Sequence, residues 1–141
     1  MNPGSPANLG LKAEVLPLLL IEDERSVLDF LRMALERNGY ACATANSATE
    51  GLRLLEAGRF SGIISDMRMP GGASGADVHD WVVTHRPELR QKMLFITGDT
   101  VNEDTMKALA SSGVPYIEKP FRVHELISTV EKIFGKARTD K

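Results

Sequence analysis

The 141-residue chain predicts one α/β domain, a doubly wound five-stranded parallel sheet with helices on both faces. Three observations predict it. Short apolar runs end in acids, hydroxyls or turn residues, stretches with helical apolar spacing separate them, and the two patterns alternate five times. Right-handed crossovers between parallel strands then put helices on both faces of the sheet.

Residues 1–14 carry Pro3, Gly4, Ser5, Pro6 and Gly10 without periodicity and read as a flexible leader or linker remnant. The domain spans 15–136, and 137–141 is a flexible tail. Its first strand, 16–21, tolerates Pro17 only because that residue stands at the start, and it ends at Glu22-Asp23-Glu24. A helix over 25–38 has Val27, Leu31, Ala34 and Leu35 at helical spacing, with Gly39 as its stop. The second strand, 40–45, is less apolar, as an edge position allows. Ser47 and Glu50 match a capping box and open a helix to about Ala57, closed by Gly58.

The central strand is Gly62-Ile63-Ile64-Ser65-Asp66, which Pro70 forbids from continuing far. After a Gly-rich loop a helix over 76–84 stops before Arg86-Pro87, since a residue preceding proline is pushed out of the helical region. The fourth strand is 93–97. Thr100 with Glu103 is expected to cap a helix reaching Ser112, which Gly113 ends, and 114–118 is the fifth strand. In the last helix Val123, Leu126, Ile127, Val130, Ile133 and Phe134 form one stripe, expected to be core.

Composition narrows the function. With 43% hydrophobic and 26% charged residues the chain is ordinary globular material, and a net charge of −2 offers no basis for nucleic-acid or anionic-membrane binding. The lone Cys42 suits a reducing compartment, and the longest strongly apolar run falls far short of a membrane span. A cytoplasmic protein is expected.

In open parallel sheets ligands bind outside the carboxyl ends of the strands, where the strand order reverses. Strand one delivers Glu22 and Asp23 there, strand three Asp66, strand four Thr97 and strand five Lys119. Each alone is a turn former, a strand-end hydroxyl or a solvated charge. Together, carboxylates that repel one another call for a cation, and an all-oxygen set suits Mg²⁺. A metal beside a hydroxyl and a lysine is how phosphoryl oxygens are held during in-line transfer.

Four ordered motifs carry a resemblance: Leu19-Leu20-Ile21-Glu22-Asp23-Glu24, Asp66-Met67-Arg68-Met69-Pro70, Ile96-Thr97-Gly98 and Glu118-Lys119-Pro120-Phe121. From about residue 16 to 135 the chain resembles the receiver domain of two-component response regulators. The resemblance implies the flavodoxin-like strand order 2-1-3-4-5, which would set Asp23 beside Asp66. It further implies that Asp66 is the phosphoacceptor, taking its phosphoryl group from a phosphohistidine of a sensor histidine kinase or phosphotransfer protein. Asp23, Asp66 and the Arg68 carbonyl would ligate Mg²⁺ (or Mn²⁺), with Glu22 acting through water. Lys119 would pair with the acyl phosphate across a cis Lys119-Pro120 bond.

Thr97 would swing to the phosphoryl group and draw Tyr116 inward. This switch would be presented to a downstream protein on the face of helix four, strand five and helix five, with no direct contact to nucleic acid or membrane. Such a protein catalyses its own phosphorylation and dephosphorylation without turning over an external substrate. Arg68 and Asp99 are expected to pair as a partial lid over the phosphoryl group. The pair Glu22-Asp23 departs from the commoner Asp-Asp, the loop 70–75 is one residue longer than the usual loop, and Gly98 opens the acceptor to varied donors. The chain is expected to be a single-domain regulator or a receiver cut from a hybrid kinase. A phosphorylation-independent docking module is the alternative. A haloacid-dehalogenase-like phosphatase would need a second acid where Arg68 stands.

Overall fold

The structure, a computed structural model, describes residues 15–68, 73–98 and 100–137. The predicted leader, loop positions 69–72, Asp99 and the tail beyond 137 lie outside the described residues. In chain order the elements are β1 (Leu18–Ile21), α1 (Arg25–Arg37), β2 (Cys42–Ala45), α2 (Ala48–Ala57), β3 (Gly62–Asp66), α3 (Gly75–His85), β4 (Met93–Thr97), α4 (Glu103–Ser112), β5 (Tyr116–Glu118) and α5 (Val123–Phe134). The five strands are parallel in the order β2-β1-β3-β4-β5. The expected doubly wound topology is therefore present.

Strand side chains alternate between two cores, because successive residues of a strand point to opposite faces. Leu18, Leu20, Ile64, Leu94, Ile96 and Ile117 pack with α1 and α5. Leu19, Ile21, Ile63, Met93 and Phe95 pack beneath α2, α3 and α4. Both faces being covered, the strands need continuous apolar runs, which is what the sequence carries.

Several boundaries differ from expectation. β1, β2 and β5 each start two residues later than predicted. Tyr40 leaves the sheet because its N–H turns back to Leu35 O, and its hydroxyl donates to Gly135 O at 2.6 Å. Ser47 caps α2 by accepting from Glu50 N, but the Glu50 carboxylate reaches Asn46 N instead of Ser47 N. α3 begins one residue early, at Gly75, through an unforeseen capping box between Ser74 and Asp77. α4 is capped by Asn102, whose side chain accepts from Thr105 N, and not by Thr100. The α5 stripe is only partly core: Leu126 and Val130 are fully buried, whereas Val123 is 42% exposed.

Two further devices set the frame. The Arg86 guanidinium donates to Leu55 O at 2.7 Å and Gly58 O at 3.2 Å, supplying partners for carbonyls at the end of α2. Lys119-Pro120 is cis, as the resemblance implied.

Gly75 stands against the backbone that carries Asp66. A Cβ there would lie 2.5 Å from Asp66 O and 3.0 Å from Met67 Cα, closer than packed atoms tolerate. Gly75→Ala is expected to cost about 1–3 kcal/mol through backbone displacement. Urea unfolding should show a lower midpoint at unchanged slope. An unaltered midpoint would mean that α3 shifts freely.

Candidate functional site

Parallel pairing of β1 with β3 puts Ile21 opposite Ser65, so the residues that follow, Glu22 and Asp66, arrive side by side at the C-terminal rim. Glu22 is fully buried and Asp66 nearly so, while Asp23 is exposed. Ligand oxygens of the three all lie within 4.8 Å of one another. Lys119, entering from β5, places its Nζ 3.1 Å from Glu22 Oε1 and 3.3 Å from each of Glu24 Oε1 and Asp66 Oδ2. Asp66 Oδ1 also accepts from Arg68 N at 3.3 Å.

An open cleft of about 350 Å³ lies over these groups, lined by Asp23, Glu24, Asp66, Arg68, Thr97, Gly98 and Lys119. Thr97 is buried at the end of β4, and its register partner across the ladder is Glu118. Tyr116, paired with Phe95, is 40% exposed and so turned outward. Gly98 is not required by crowding: a Cβ there would sit 3.8 Å from Lys119 Cβ and Cδ, an ordinary contact.

Electrostatics follow from burial. Glu22 is pushed from 4.5 up to about 7, first by burial and then by the Asp66 charge, against the Glu24 N–H and Lys119. Asp66 is also raised above 3.8 by burial, with Lys119 opposing. Burial works against the Lys119 ammonium, yet Asp66 and Glu22 outweigh it and the net shift is upward. Three carboxylates, those of Glu22, Glu24 and Asp66, thus contact the Lys119 ammonium, and Asp23 joins Glu22 and Asp66 in the cluster.

This donor set fits a small divalent cation. The clustered donors are all carboxylate oxygens, which hard cations prefer. Buried Glu22 Oε1, although within ion-pair distance of Lys119, receives no hydrogen bond.

Of the predicted site residues the structure brings together Glu22, Asp23, Asp66, Arg68, Thr97 and Lys119. Asp99 lies outside the described residues. Two contacts went unforeseen. Glu24, third in the acidic run, joins Lys119, and the Arg68 guanidinium donates to Thr105 Oγ1 on α4 at 3.3 Å. The first had a signal in the run of acids; the second had none.

The family profile described as the response regulator receiver domain matches residues 18–131. Among curated proteins, the nisin biosynthesis regulatory protein NisR of Lactococcus lactis is 26% identical over 90% of this chain and 54% of its own length. The chain spans about half the length of the curated relatives it matches. Two receiver-domain crystal structures superpose well. One, CheY-like, from Methanospirillum hungatei, has TM-score 0.75 at 24% identity, covering 84% of this chain and 93% of that one. The other, from Clostridium thermocellum, has TM-score 0.72 at 26% identity, covering 84% and 94%.

The buried carboxylates make stability depend on pH. A carboxyl whose folded pKa is raised binds its proton more tightly folded than unfolded, so stability is full below the unfolded value and falls as pH climbs towards the folded one. For Glu22 that window runs from 4.5 to about 7. In chelator, urea unfolding should show a loss of about 1–3 kcal/mol between these limits, and Glu22→Gln should flatten the decline. A wild-type profile already flat would contradict the burial argument.

Proposed function

We propose that this chain, which belongs to the response regulator receiver domain family, is a signalling switch that accepts a phosphoryl group on Asp66. The observation that carries the reading is the Lys119 ammonium, 3.3 Å from Asp66 Oδ2 inside a cluster of carboxylates. Such a group is a poor anchor for a whole cluster of acids but a good counter-charge for phosphoryl oxygens.

In the proposed step an Asp66 oxygen attacks the phosphorus of a phosphohistidine on a sensor histidine kinase or phosphotransfer protein. The P–N bond breaks, its electron pair stays on the imidazole, and a P–O bond to Asp66 forms. Arg68 N, already donating to Oδ1, orients the carboxylate. Lys119 then pairs with the transferred oxygens. Asp23, Asp66, the Arg68 carbonyl and, through water, Glu22 would hold Mg²⁺ or Mn²⁺, which when bound supplies positive charge to those oxygens. Thr97 turns its hydroxyl to the phosphoryl group and Tyr116 moves inward, so the α4-β5-α5 face changes for a downstream protein. We place the protein in the cytoplasm. Among the described residues no helix is long and apolar enough to cross a membrane.

We also propose that Arg68 and Asp99 shield the phosphoryl group from water. An exposed ion pair is worth about 0–1 kcal/mol and a tenfold rate change needs about 1.4 kcal/mol, so pairing alone slows hydrolysis a few-fold at most.

Labelling with acetyl phosphate and Mg²⁺ should place phosphate on Asp66 alone, and Asp66→Asn should abolish it. Mass spectrometry finding undiminished phosphate on the Asn variant would sink the assignment. For the shield, Arg68→Ala and Asp99→Ala are each expected to shorten the phosphoryl half-life by a few-fold, with the double variant no shorter than either. Additive effects, or an unchanged lifetime in Arg68→Ala, would rule the shield out.

A further inference from the structure

We propose that Thr100 and Glu118 form a latch that ties Thr100, ahead of α4, to β5 and sets how readily Thr97 and Tyr116 switch. The inference rests on the phosphoacceptor reading of Asp66. It concerns two residues to which that reading gives no role.

Register carries it. Thr97 pairs with Glu118 and Phe95 with Tyr116 across the β4-β5 ladder. Paired residues of parallel strands share a face, and alternate residues along a strand do too. Thr97, Tyr116 and Glu118 therefore rise on the same side, the side of Phe95 and of the core beneath α4. Ile117 between them is buried in the opposite core with α1 and α5.

On that shared side the Thr100 hydroxyl donates to Glu118 Oε2 at 2.5 Å. The strand ends below are joined already, by Lys119 N donating to Thr97 O at 2.8 Å. The Thr100 bond thus adds a second tie, from a residue three places beyond Thr97 to Thr97's own register partner. Beyond it, α4 is held on its first turn by Arg68 through Thr105. A Thr97 side chain drawn towards Asp66 pulls on the strand end beside Glu118, the residue that Thr100 holds. An inward Tyr116 must pass beside Glu118, two residues along the same strand.

The latch has the right strength to yield. Glu118 is exposed, so on release its carboxylate returns to water at little cost. An exposed bond of this kind shifts a two-state ratio by about two- to fivefold, equivalent to about 0.4–1 kcal/mol. That biases a switch without locking it. Neither residue lines the cleft over Asp66, so removing the bond leaves the acceptor groups in place.

The test uses the full chain as wild type, Thr100→Val, Glu118→Ala, the double variant and Thr100→Ser, which keeps the hydroxyl. Amide NMR shifts of β5 and residues 98–102 are placed on the line between resting wild type and wild type treated with phosphoramidate and Mg²⁺. Thr100→Val and Glu118→Ala should each move the untreated protein towards the phosphorylated end by about a two- to fivefold change in ratio. The double variant should move no further, and Thr100→Ser should coincide with wild type. Unmoved shifts, additive shifts in the double variant, or Thr100→Ser behaving like Thr100→Val would overturn the latch. If wild type takes no phosphate on Asp66, the phosphoacceptor reading fails by itself. Amide exchange in the resting proteins then decides: faster in Thr100→Val and Glu118→Ala but not in Thr100→Ser supports the tie, and equal rates refute it.

Discussion

Parallel pairing of β1 and β3 delivers two carboxylates, Glu22 and Asp66, to one buried place, and the Lys119 ammonium is what lets them remain there. Burying like charges together is costly unless an opposite charge joins them. Lys119 comes from the far edge of the sheet, and its stem runs past Gly98 at the end of β4. One side chain therefore ties β5 to β3 and β1 across an intervening strand. Its single charge still leaves the cluster negative, an excess that disfavours the fold and invites a cation. Groups with perturbed protonation in a cleft are candidates for function, and here burial first, with neighbouring carboxylates adding to it, raises Glu22 and Asp66.

Glu22 shows how a small departure within a family acts physically. One methylene longer than aspartate, its carboxylate lies fully buried, takes Glu24 N at 3.1 Å on one oxygen and approaches Lys119 with the other. It is thereby a partner of the lysine as much as a member of the acidic cluster. Gly98, in contrast, leaves room that a methyl group would fill at ordinary contact distance, so the openness of the cleft there belongs to this sequence and not to the fold.

Most of the architecture was legible because burial on both sheet faces demands unbroken apolar runs, and these stand out against amphipathic helices. Strand ends were legible too, since a run stopping at Glu22, Asp66, Thr97 or Lys119 announces what reaches the rim. The starts of β1, β2 and β5 were not: Tyr40 is as apolar as a strand residue, and only its bonds to Leu35 and Gly135 show that it has left the ladder. The cap of α4 was misread because Thr100 and Asn102 are both good capping residues, and the choice depends on the loop's path. Ser74 and Asp77 were passed over because Asp took the place where Glu or Gln is the familiar signal. Glu24 with Lys119, Arg68 with Thr105 and Thr100 with Glu118 join elements far apart in the chain, and such reach depends on register that no local pattern records.

The position of β5 has a consequence of its own. It is a three-residue strand bonded on one side only, to β4, with its outer edge unpaired by any other strand of the sheet. A rearrangement in a central strand would disturb two ladders and both cores, so the lattice of hydrogen bonds would resist it from either side. At the margin a residue answers to one neighbour, and Tyr116 and Glu118 stand at such a margin. The carboxylate cluster sits between β1 and β3, each laddered on both sides, and Lys119 joins that doubly held centre to the singly held border.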